Sequence, residues 1–276
     1  MTTASMTSVT PLAASDSPRS ASFSNTLASE WFKLATLRST YVTLGLGLLI
    51  SIATTALVSL AIGATTTEWP GDFEPVLWSL VGNIFALIIY SVFGVLAVSR
   101  EYSSGMIRLT LTATPNRSRV LFAKLILVCL IILVFGLITT VGMFLVGQAV
   151  LGAYGMPTAD LGDADAWRMA LGVGATMPFF PIVGLALGVV LRSTAGAITT
   201  VLGLLWLPTI FEGLLPIWWR QNVISLLPGS AVDSFTIGHL VDSPSYSDPV
   251  VGAAIAAAWL VAVVGAAFVT FARRDA

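Results

Sequence analysis

The chain has 276 residues, of which 56% are hydrophobic and only 10% charged, with 13 Lys/Arg against 14 Asp/Glu and a formal charge of −1. A soluble domain carries roughly 25% charged residues, so this composition cannot cover a water-facing surface, and a mean hydropathy of +0.92 agrees. The near-neutral balance excludes a nucleic-acid-binding face; one cysteine, Cys129, excludes an intrachain disulfide, and with one histidine, His239, it leaves no Cys/His zinc cluster.

Residues 1–21 are rich in Ser, Thr and Ala and lack the apolar core of a signal peptide, so they read as a disordered cytoplasmic tail. Over 22–40, Phe23, Leu27, Trp31, Leu34 and Leu37 recur at helical spacing, with Ser29, Glu30, Lys33 and Arg38 on other faces. An amphipathic helix with Trp and Phe on its apolar side lies in the membrane interface. It serves either as a plain lead-in to the first span or as an elbow at the cytoplasmic surface that touches a partner.

From residue 41 to 276 the gaps between charges set the architecture. Charge-free stretches run over Ser39–Thr67, Pro75–Ser99, Leu125–Ala159, Met169–Leu191, Ser193–Phe211 and Pro249–Ala272. A helix needs roughly 20 apolar residues to cross a 30 Å hydrocarbon core, so each stretch holds one span. An open strand edge in lipid would leave backbone groups unpaired, and the alternation of a transmembrane strand is missing. The expected fold is therefore all-α and integral to the membrane, with six spans near 41–63, 76–99, 121–151, 170–191, 195–214 and 250–271. Pro178 and Pro181 should kink the fourth span. Gly184 and Gly188 permit close helix approach, within one chain or between two, and Asn83 and Gln148 read as interhelical hydrogen-bonding groups.

With the N-terminus inside and six spans alternating, eleven Lys/Arg fall on the cytoplasmic side, and only Arg168 and Arg220 outside. Such a positive-inside bias places both termini in the cytoplasm.

Two further pieces lie between spans. The cytoplasmic loop 100–120 carries Met106, Leu109 and Ala113 at helical spacing; Gly105 allows a tight bend, and Pro115 stops the helix. Apolar residues in a cytoplasmic loop suit burial against another chain. The outer segment 214–248 holds two apolar pieces too short to span, broken by Pro216 and Pro228. They suit a re-entrant hairpin or an interfacial lid, with Trp218 and Trp219 at headgroup level. Glu212 is the one acidic residue placed near the hydrocarbon and so a candidate for the conduction pathway or outer gate. Arg220 lies eight residues on, beyond Pro216.

The run SREYSSGMIRLTLTATPNRSRVLFAKL resembles the first cytoplasmic loop of bacterial ATP-binding-cassette (ABC) exporter permeases of the type-two class, and SEWFKLATLRSTY resembles their elbow helix, with Glu30, Trp31 and Lys33 in it. The resemblance implies a transmembrane permease subunit in the bacterial cytoplasmic membrane. It would pair with a second permease copy, identical or not, and with two nucleotide-binding ATPase subunits. The loop helix would be the coupling helix seated on the ATPase, with Glu101, Ser104, Gly105, Arg108 and Leu111 at matching positions. The family often places short helices over the outer mouth, where Trp218, Trp219, Glu212 and Arg220 fall.

A phosphate-binding loop ends in Gly-Lys-Ser/Thr. The only lysines here, Lys33 and Lys124, follow Phe32 and Ala123. No cofactor is expected in this chain; ATP and Mg would belong to the partner ATPase. The other readings are an ion-coupled secondary transporter, which would need more intramembrane ionisable groups, and a non-transporting sensor or assembly protein. The aliphatic and aromatic spans favour hydrophobic or amphipathic cargo.

Overall fold

The computed structural model describes residues 22–65, 73–103, 105, 116–238 and 243–273. The expected tail over 1–21 and most of the expected coupling helix lie outside them. In chain order the helices are α1 (Phe23–Thr36), α2 (Arg38–Thr65), α3 (Pro75–Ser79), α4 (Asn83–Ser103), α5 (Arg117–Ala153), α6 (Ala164–Thr176), α7 (Phe179–Leu191), α8 (Thr194–Glu212), α9 (Ile217–Asn222), a 3-10 turn (Ile224–Leu226), α10 (Pro228–Thr236) and α11 (Pro249–Arg273). No strand occurs among the described residues. Six helical segments are long and apolar enough to cross a membrane: α2, α4, α5, α6 continued by α7, α8 and α11.

The segment α6–α7 runs through the middle of the bundle, whereas α2, α8 and α11 turn most of their surface outward. The tightest crossing is α4 on α7. Gly94 sits against the backbone of Pro181, and a Cβ on Gly184 would stand 2.9 Å from the Ser91 carbonyl oxygen. Gly184 and Gly188 are thus used inside one chain, against Ser91, Val95 and Val98 of α4. The fourth span breaks at Met177 and Pro178. Pro181 causes no second break, because it falls in the first turn of α7, where no intrahelical donor is needed.

The starts of three spans shift by four residues or more from the sequence expectation, each for a local reason. The second span does not run on from Val76: α3 ends at Ser79, and the chain turns before α4 begins at Asn83. At that turn the Gly82 N–H donates to Thr55 Oγ1 at 3.2 Å, and a Cβ there would collide with the same oxygen at 2.8 Å. The third span starts at Arg117, because Asn116 caps it by accepting from the Arg119 N–H at 3.2 Å. The fourth starts at Ala164, because Asp163 accepts from the Asp165 N–H at 2.9 Å and carries the helix back through a charged first turn.

Candidate functional site: an ion cluster and a cavity

The two ends of α4 reach two different sites. At its C-terminal end Glu101 meets Lys124, two turns into α5, and Glu30 and Lys33 of α1. Lys124 Nζ donates to Glu30 Oε2 at 2.6 Å and to Glu101 Oε1 at 2.7 Å; Lys33 Nζ donates to Glu30 Oε1 at 2.7 Å and to Glu101 Oε1 at 3.2 Å. Glu30, Glu101 and Lys124 are buried; Lys33 is partly exposed. Two carboxylates and two ammoniums close into a ring with no net charge, which is what a charge needs to survive away from water. Burial works to lower the Lys33 pKa, but the hydrogen bond and charge of Glu30 and the charge of Glu101 outweigh it and raise the value. Glu101 Oε2 is buried with no partner among the described residues.

Helix α1 therefore rests on an inner face formed by Thr26, Glu30 and Leu34, one per turn, and Phe23 packs on Phe122 of α5 at 5.9 Å between ring centroids. Glu30 was expected on a polar face and is instead turned inward, because two lysines await it there. Trp31, Phe32 and Leu37 are exposed. Arg100, just before Glu101, donates to Ser39 Oγ at the start of α2.

Beyond Glu101 the described chain holds Gly105, turned at φ +71° with its N–H on the Tyr102 carbonyl, as a helix C-terminus favours. Ser104, Arg108 and Leu111 lie outside the described residues. The Arg192 guanidinium, in the turn between α7 and α8, stands 5.5 Å from the Tyr102 ring centre. The stem of the first loop is thus held by α1, by α5 and by the α7–α8 turn.

At the other end of the bundle, Glu212 closes α8. Its Oε1 accepts from Arg220 at 3.1 Å, Ser243 at 2.9 Å and Ser245 at 2.5 Å. Pro216 does prevent one helix from carrying Glu212 and Arg220; they pair because α9 folds back. Trp218 and Trp219 are exposed on α9, edge to face at 5.7 Å. The Trp259 indole donates to the Leu226 carbonyl at 2.8 Å. Trp259 lies ten residues into α11, so Leu226 sits about 15 Å along that helix from its start.

Between α4, α6–α7, α8 and α10 opens a cavity of about 430 Å³, lined by Asn83, Phe180, Trp206, Glu212, Asp233 and Tyr246 among apolar neighbours. Asp233 has no hydrogen bond or ion pair to its carboxylate among the described residues. Burial and then the nearby charge of Glu212 push its pKa up to about 7. Burial, with Asp233 and Glu212, also raises that of Tyr246.

Sequence reasoning missed Lys124 and Asp233. Lys124 was counted only as a marker of the inner side, although a lone lysine inside an apolar helix calls for a partner. Asp233 had no signal beyond being an acid between short apolar pieces. Gln148 behaves as expected: Nε2 donates to the Pro75 carbonyl at 3.1 Å and to Ser79 Oγ at 2.9 Å, and Oε1 accepts from the Ala159 N–H at 2.7 Å.

A family model described as ABC-2 family transporter protein matches residues 26–207, well over half of the chain. A search of curated proteins finds no match.

Proposed function

The chain belongs to the ABC-2 transporter family and is a multi-pass membrane component of an ABC transporter; on that premise we propose that it is the permease subunit of an ATP-driven exporter, coupled to a separate ATPase through its first cytoplasmic loop, residues 100–120. Two such ATPase subunits and a second permease copy complete the machine, in a bacterial plasma membrane with both termini cytoplasmic. Glu101, Ser104, Gly105, Arg108 and Leu111 form the coupling element, and Glu212, Arg220, Trp218 and Trp219 the outer gate.

The observation that carries this reading is the ion ring at the base of the first loop. Glu101 lies in the last turn of α4 and Lys124 near the start of α5, so the loop is clamped on both sides, and the same ring ties it to Glu30 and Lys33. A push on the loop cannot be absorbed by a loose stem; it moves α1, α4 and α5 together. Nucleotide acts on such a device only if the ATPase holds two permease conformations with different affinity. The helix α4 carries the displacement from Glu101 to Asn83, about 27 Å away along one rod and on the wall of the outer cavity.

The test is retention of a partner. Tagged and extracted in mild detergent, the chain should retain a separate nucleotide-binding polypeptide, and Arg108→Ala should weaken that retention while leaving the thermal unfolding of the purified permease unchanged. No ATPase with the wild-type chain, or wild-type retention by Arg108→Ala, contradicts the coupling assignment.

A further inference from the structure

The outer cavity combines an acid without a counter-ion and an aromatic wall. Its titratable groups are few: of the described lining residues only Glu212, Asp233 and Tyr246 titrate, and no Lys, Arg or His is among them. Glu212 already holds Arg220 and two serine hydroxyls, whereas the Asp233 carboxylate has none of these. A carboxylate taken out of water without a cation is costly, and a second negative charge nearby makes it more so. Trp206 and Phe180 also line the cavity; aromatic rings attract cations and take up apolar groups. At about 430 Å³ the cavity suits a small organic molecule.

We propose that this cavity is a binding site for a lipophilic organic cation, with the charge seated at Asp233 beside Glu212 and the apolar body against Trp206 and Phe180. The idea rests on the exporter reading only in making that ligand a transported species; binding itself needs no ATPase. A bare metal ion fits less well, since most of the lining is hydrocarbon. A neutral lipid would leave Asp233 uncompensated.

Asp233 gives the site a pH signature with a defined sign. Its carboxyl titrates near 7, with Glu212 and Tyr246 the titratable groups on the same cavity wall. Raising the pH from 6 to 8 ionises it and should strengthen cation binding about tenfold; lowering the pH replaces the ligand's charge with a proton.

The experiment uses the purified full chain in lipid nanodiscs and radiolabelled tetraphenylphosphonium, with empty nanodiscs as background. The wild type should bind saturably, about tenfold tighter at pH 8 than at pH 6. Asp233→Asn should bind at least tenfold more weakly than the wild type at pH 8 and lose the pH dependence, with monodisperse elution as the control for folding. If that variant fails to fold, the wild-type pH series decides alone. No saturable binding overturns the proposal. So do pH-independent binding, an Asp233→Asn variant that binds like the wild type, and equal affinity for uncharged triphenylphosphine oxide. Each of these leaves the permease reading untouched, because that reading stands or falls on ATPase retention.

Discussion

Lys124 would be expensive two turns into an apolar helix if it stood alone, and the fold spends three acceptors on it: Glu30, Glu101 and, at 3.5 Å, the Ala97 carbonyl. Removing one member of a buried ion pair typically costs about 3–5 kcal/mol, because its partners stay behind uncompensated, while replacing a whole pair by apolar groups can be neutral. Lys124→Ala should therefore lower the unfolding temperature in detergent sharply, and Lys124→Met combined with Glu101→Leu should recover most of the loss. A single substitution as stable as the wild type would mean that the ring does not form. Little of this residue-level chemistry was legible beforehand. Helical spacing put Glu30 on a polar face of α1 beside Lys33, because periodicity counts an ionised side chain as solvent-seeking and cannot see Lys124 arriving from the sequence-distant α5. Asp233 was silent for the same reason: its isolation is a property of the cavity, not of its neighbours in the chain.

At the scale of elements the reading went further, since charge is excluded from hydrocarbon wherever the chain crosses it. All six expected spans appear, and the third, expected to end near 151, ends at Ala153. The break at Leu80–Gly82 was invisible, because it depends on the Thr55 hydroxyl of α2 rather than on any local signal. Gly184 and Gly188 were recognised as close-approach positions, but only the fold assigns them to the α4–α7 crossing. That crossing yields a contrast between two glycines. A methyl group on Gly94 would run into the Pro181 backbone, which cannot swing away, whereas the nearest atom to one on Gly203 is Leu207 Cδ1 at 3.5 Å. Gly94→Ala should cost folded protein, read as monodisperse yield after gel filtration. Gly203→Ala should be neutral or gain up to about 1 kcal/mol from helix propensity. Equal behaviour of the two would contradict the packing of α4 on α7.

Across the whole molecule, the ion ring and the cavity sit at opposite ends of α4, joined by one continuous helix that packs on α7. Each end of this axis has its own restraint: α1 at the ring, and the folded-back α9–α10 segment at the cavity, where Leu226 is fastened to Trp259. The sequence carries no Gly-Lys-Ser/Thr phosphate-binding motif, and on the proposed reading the work comes from a neighbouring ATPase. The most direct measurement is solute accumulation by vesicles containing the purified chain alone, under imposed proton and sodium gradients, then again with its co-purifying ATPase and ATP. The account predicts no uphill movement in the first case and nucleotide-dependent movement in the second; concentrative transport by the chain alone, driven by an ion gradient, would contradict it.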